Sequence, residues 1–208
     1  MEHTYNSNAI EGSTLTKKET EAVIFDKSRL PDKSLMEHLE ATNHAVVLRD
    51  IFTQKYPTVI TDTSIRQLHR ALLQGIRPDA GDYATRHRVI RGVNIALTHP
   101  KDIPEEMARL LRAWKRTERH RYTVADVATF HADFELIHPF GDGNGRVGRL
   151  VMLMQLLRRH YPPVVVETSR KAEYYEVLEY AQRRSIDPFV VFLVDEMERT
   201  SQLLRKHR

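Results

Sequence analysis

The 208-residue chain has no cysteine, which excludes disulfides and every metal site built on thiolates. It lacks long apolar runs as well, because Arg, Lys or Glu interrupts each hydrophobic stretch short of the roughly 20 residues that span a bilayer. The first residues, Met1-Glu2-His3-Thr4-Tyr5-Asn6, form no apolar signal segment, so the chain is expected to be cytoplasmic and not membrane-bound. Low-complexity tracts, internal repeats and an evident linker are missing too, and residues 1–208 are expected to form one domain. No charge sign dominates: 32 Lys and Arg face 28 Asp and Glu, and the net charge of +4 is scattered. A nucleic-acid-binding module would need a basic stripe or an appended helix-turn-helix unit, so nucleic acid is not an expected partner.

Helical periodicity dominates what is present. Ile65, Leu68, Leu72 and Ile76 recur every three or four residues, with Asp62 or Thr63 as N-cap and Gly75 near the end. Comparable patterns cover residues 34–56, 104–117, 123–137, 145–160, 170–184 and 188–206. The exception is Arg88 to Leu97, where Val89, Ile90, Val93, Ile95 and Leu97 partly alternate with polar residues around Gly92, predicting a short β-hairpin. The expected fold is all-α, a mainly helical bundle, with that small hairpin.

Chemistry concentrates in residues 138–149, His-Pro-Phe-Gly-Asp-Gly-Asn-Gly-Arg-Val-Gly-Arg, between two helical patterns. Four of the eight glycines, Gly141, Gly143, Gly145 and Gly148, fall there. Glycines let a backbone take positive φ and turn its N–H groups onto an anion, and the helix starting near Asn144 or Gly145 adds its dipole end. Arg146 and Arg149 share a helix face, an unfavourable place for two cations unless an anion compensates. Asp142 beside an anion nest points to a bridging Mg²⁺. His138 is placed as a general base, and Pro139 is expected to hold it in an extended conformation. Each feature alone also fits a packed histidine, a plain turn or a solvated arginine; together and in this order they indicate a catalytic phosphate site.

This segment resembles the Fic active-site motif, HxFx(D/E)GNGRxxR, at every specified position. The resemblance implies a compact helical bundle with a hairpin flap and transfer of AMP from ATP to a Ser, Thr or Tyr hydroxyl of a target protein. It implies His138 as general base and Asp142 as Mg²⁺ ligand. Asn144 with the Gly143 and Gly145 amides would cradle phosphates, Arg146 and Arg149 would neutralise the outer ones, and Phe140 would pack beneath the loop. Arg88, Val89, Ile90, Arg91 and Gly92 fall in the flap that docks the target as an added strand. Tyr174, Tyr175 and Gln182 resemble the helix lining the adenine pocket, with Gln182 where many relatives have Asn. The catalytic core is expected over about 60–184. Self-modification and homodimerisation are further expectations by analogy.

Ser7-Asn-Ala-Ile-Glu11-Gly12 resembles the inhibitory motif of the same family, in a segment about 4–14. The resemblance implies that Glu11 pairs bidentately with Arg149 and occupies the guanidinium that would grip the γ-phosphate. The same carboxylate permits the reverse reaction, removal of AMP, and the sequence leaves both directions open. A phosphoryl or phosphocholine transferase on the same fold also stays open. A metallohydrolase reading of His131-Ala-Asp133 fails because no zinc-ligand spacing such as HExxH occurs.

Overall fold

Helix starts are specified by Ser and Thr. Thr16, Ser34, Thr61 and Thr123 each accept a hydrogen bond from the amide three residues on, and Glu19, Glu37, Ser64 and Asp126 bond back to the cap amide. The structure, a computed structural model, describes residues 1–56, 59–86 and 97–206. The helices among them are α1 (Glu2–Ile10), α2 (Lys17–Phe25), α3 (Leu35–Phe52), α4 (Asp62–Leu72), α5 (Ile103–Glu118), α6 (Val124–Ile137), α7 (Asn144–Arg158), α8 (Lys171–Gln182) and α9 (Asp187–Lys206). Short 3₁₀ turns at Pro100–Asp102 and Thr168–Arg170 lead into α5 and α8.

The fold is mainly α-helical, and no strand occurs among the described residues. The hairpin expected from Arg88 onward lies, except for Leu97, outside them. The cap of α4 is Thr61 rather than Asp62 or Thr63. Asp62 instead occupies the first turn, where its charge suits the helix dipole. Two helices have no counterpart in the periodicity, α1 and α2. The reason is that α1 buries a polar face, His3, Thr4, Asn6, Ser7 and Asn8, while α2 buries only Thr20 and Val23.

Helix α7 is the axis. Twelve of its fifteen residues are buried, so it shows no polar face. Helices α6, α4 and α1 pack on it, α6 is flanked by α5, α8 and α9, and α3 joins α4 to α1 and α2. A contiguous apolar core runs through Ile65, Phe134, Phe140, Leu150 and Phe189. Trp114 anchors its far end, meeting Phe130 edge-on at 5.3 Å and Tyr122 at 4.9 Å.

Where α6 crosses α7, Gly148 leaves room for a buried acid. A Cβ there would lie 2.5 Å from Glu135 Oε1 and 2.9 Å from His131 Cε1. Helix propensity alone favours Gly148→Ala by about 1 kcal/mol. Overpacking against α6 is expected to reverse the sign, lowering the unfolding free energy by ~1–3 kcal/mol in urea titrations. A Gly148→Ala protein as stable as the parent would contradict this close helix approach.

Candidate active site

Helix α6 ends at His138, whose amide donates to Phe134 O at 2.9 Å. His138 is left-handed, φ 50° and ψ 59°, not extended as Pro139 suggested. The left-handed cap that commonly closes a helix wins here, histidine being among the residues that tolerate it, and Pro139 prevents further winding. Such strain at a non-glycine residue is typical of functional sites. His138 Nδ1 lies 3.3 Å from Glu135 O and 3.8 Å from Glu135 Oε2. The nearer contact assigns the Nδ1 proton, so Nε2 is the ring's proton acceptor.

The loop after His138 is held from beneath. Phe140 is fully buried and stacks on His69 with centroids 3.8 Å apart and planes 6° from parallel, as the expected packing role requires. His69, on α4, accepts from the Gly81 amide at Nδ1 (2.7 Å) and donates from Nε2 to Asp142 O (3.1 Å). Burial pushes its pKa down to about 4, against the bond to Asp142, so the ring is neutral as this two-sided bonding demands. The Asn144 side chain is turned onto the loop backbone. Its amide accepts from Phe140 N and donates to Phe140 O, both at 2.8 Å, and so staples the loop shut. The Gly143 amide likewise donates to Asp142 Oδ1 at 2.6 Å. Gly143 itself, at φ 74°, makes the turn into α7.

What remains for an anion is the first turn of α7. The amides of Asn144, Gly145 and Arg146 have no intrahelical acceptor, the ladder starting with Val147 N to Gly143 O at 3.0 Å. Glu11 sits over this turn: a Cβ at Gly145 would collide with Glu11 Oε1. Arg149 Nη2 donates to Glu11 Oε1 at 2.7 Å and to Ser7 O at 2.9 Å, while Nε donates to Ser7 Oγ at 3.0 Å. The expected two-pronged pair with Glu11 is therefore shared, because Ser7 completes the edge of the fork. Arg149 is only 3% exposed. Burial opposes its charge, yet Glu11, through its charge and its hydrogen bond, holds the guanidinium above its ordinary pKa range.

Arg146 is also buried and paired. Its Nη1 donates to Glu40 Oε1 at 2.7 Å, and Nη2 lies 3.6 Å from Asp142 Oδ1. Neither Glu40, His69 nor Glu135 stood out in the sequence. Tertiary packing brings Glu40 and His69 to residues 138–149, whereas Glu135 lies one helical turn before His138. Asp142 is half-exposed, and among the described residues no group of three or more His, Cys, Asp or Glu could hold a metal.

The adenine-pocket candidates divide. Tyr174 is buried behind Arg149 with its hydroxyl 2.7 Å from His131 Nε2, so both serve the interior. Tyr175 is partly exposed beside it, with ring centroids 5.3 Å apart. Gln182 closes α8, roughly 12 Å along the axis from Tyr174 at 1.5 Å per residue. The docking candidates Arg88, Val89, Ile90, Arg91 and Gly92 lie outside the described residues. Among the described residues, Thr98 N donates to Leu136 O at 3.4 Å. No described helix is long and apolar enough to cross a membrane.

Residues 59–156 match the model of the Fic/DOC family. The chain is 35% identical over 209 residues to the protein adenylyltransferase Fic of Drosophila sechellia, which covers 98% of this chain and 42% of that protein. The protein adenylyltransferase Fic of Nematostella vectensis is 32% identical, with 96% and 47% covered, so the chain spans less than half the length of these relatives. A Fic domain containing signaling protein from Bacteroides thetaiotaomicron superposes with a TM-score of 0.87 at 29% identity, over 97% of this chain and 84% of that one.

Burial, reinforced by Glu11, pushes the Glu135 carboxyl up to about 8 from 4.5. The folded protein then holds a proton that the unfolded chain releases above pH 4.5, so this group's contribution to stability falls as pH rises from about 4.5 to 8. Denaturation midpoints at pH 5 and pH 8 should therefore drop more for the parent than for Glu135→Gln. Equal drops would mean that Glu135 is ionised in the fold.

Proposed function

The chain belongs to the Fic/DOC family, and from that premise we propose that it is a protein adenylyltransferase, moving AMP from ATP onto a target hydroxyl and restrained by Glu11. The observation that carries the reading is the contact of Glu11 with Arg149 directly over the anion-binding turn of α7.

In the reaction the target oxygen loses its proton to His138 Nε2 and bonds to the α-phosphorus of ATP. The bond to the bridging oxygen breaks, and pyrophosphate leaves. The first-turn amides and dipole of α7 stabilise the charge that builds on the phosphoryl oxygens. Glu135 O orients the imidazole through Nδ1, and the left-handed backbone at His138 aims the ring off the helix end. Residues 88–97 would align the target segment as an added strand.

A magnesium ion fits Asp142 as a shared ligand rather than as a resident of a protein cage. One half-exposed carboxylate next to a phosphate nest matches the preference of Mg²⁺ for one or two carboxylates plus substrate oxygens. When bound it supplies charge neutralisation on the diphosphate.

With Glu11 in place, Arg149 Nη2 and Nε are already engaged, and the carboxylate repels a γ-phosphate. The same position gives a second reading, in which Glu11 orients water to remove AMP from a modified protein. Intact-mass analysis after incubation with ATP and Mg²⁺ tests the scheme. Glu11→Gly should gain AMP on itself or a supplied protein about ten- to a hundredfold faster than the parent, the equivalent of one charge-assisted hydrogen bond. Adding His138→Ala should lower that rate by ~10²–10⁴. No gain of AMP by Glu11→Gly sinks the transferase reading.

A further inference from the structure

Arg146 has two acidic neighbours but a direct bond to only one. Glu40 Oε1 accepts from Nη1 at 2.7 Å, whereas Asp142 Oδ1 stands 3.6 Å from Nη2, too far for a hydrogen bond. Asp142 Oδ1 takes the Gly143 amide instead. At 3% exposure Arg146 cannot satisfy its charge with water, so it requires a carboxylate. Without Glu40, the acid within reach is Asp142, one turn earlier on the same side of α7.

We infer that Glu40 is a positioning residue, which by holding Arg146 keeps the Asp142 carboxylate available to a divalent cation. This rests on the transferase reading and on the fit of Mg²⁺ to Asp142 argued above. Glu40 and Glu11 thus pair with the two arginines in different ways. Glu11 caps a nine-residue helix and is followed by Gly12 at φ 105°, a hinge-like end. Glu40 lies within the 18-residue α3, fixed by the Ser34 and Glu37 capping box and by buried Ala41 and His44. Glu11 can leave while Glu40 stays, so the cation site remains formed when the phosphate site opens. Glu40 also meets Arg146 at one corner of the guanidinium, leaving the Nε–Nη2 edge unbonded to it.

The test is Mn²⁺ binding, followed by electron paramagnetic resonance, to the full Glu11→Gly chain saturated with a non-hydrolysable ATP analogue. Glu40→Gln should raise the half-saturating Mn²⁺ concentration about tenfold, the scale of lost support around a metal ligand. AMP transfer should reappear at high Mg²⁺. In a Glu11→Gly/Arg146→Met chain, adding Glu40→Gln should leave the Mn²⁺ midpoint of that chain unmoved, since no guanidinium is left to capture Asp142. A merely structural Glu40 would lower transfer at every metal concentration and leave the midpoint unmoved. If Glu40→Gln does not fold, Glu40→Asp replaces it, with a smaller rise expected. An unmoved or lowered midpoint in the Glu11→Gly chain, or a rise that Glu40→Gln also causes in the Glu11→Gly/Arg146→Met chain, overturns the inference while the transferase reading stands. If Glu11→Gly binds neither analogue nor Mn²⁺, both fall together.

Discussion

A guanidinium buried to 3% exposure must find its counter-charge inside the protein, and Arg149 finds it 138 residues away in sequence, at Glu11. Much of the N-terminal structure follows from that requirement. A nine-residue helix is unstable alone, so α1 exists because it docks. The docked face is polar because its principal partner is a cation: Ser7 gives Arg149 a carbonyl and a hydroxyl, and Asn6 Oδ1 accepts from Thr168 N at 2.9 Å. The His3 and His44 rings lie 5.4 Å apart in the same layer, tilted by 30°. Burial holds both neutral, His3 down to about 3, which lets them lie near Arg149 without adding positive charge.

The second constraint is the loop between α6 and α7. Its shape is set by polar atoms turned inward: Asn144 against Phe140, and His69 between Gly81 and Asp142. With those groups engaged, the loop presents little except backbone at the start of α7, where an anion is best received. A polar interior of this kind is rigid when fully bonded, and rigidity here keeps the His138 ring fixed relative to the first turn of α7.

Much of this was legible in the sequence because the loop chemistry is local. Glycine clustering, the Arg146–Arg149 spacing and the order of His138 and Asp142 all lie within twelve residues, and the periodicity of α4, α5, α8 and α9 follows from one-sided burial. The pairing of Glu11 with Arg149 came from a family resemblance, and Ser7 proved to share the contact. Helix α1 escaped the periodicity because it buries His3, Thr4, Asn6, Ser7 and Asn8 instead of an apolar stripe. Glu40 and His69 escaped because each acts across helices, with sequence separations no local pattern encodes. The bonds by which the Asn144 side chain closes the loop were not legible, because they depend on the loop's folded path.

The central claim is that Glu11 and the terminal phosphate of ATP compete for Arg149. Calorimetric affinities for ATP and ADP test it most directly, measured with Mg²⁺ on the parent, Glu11→Gly and Glu11→Gly/Arg149→Met. The account predicts that Glu11→Gly prefers ATP to ADP about tenfold or more, as for one charge-assisted hydrogen bond. The parent and the Arg149→Met form should show little preference. An equal ATP-to-ADP ratio in all three proteins would contradict it.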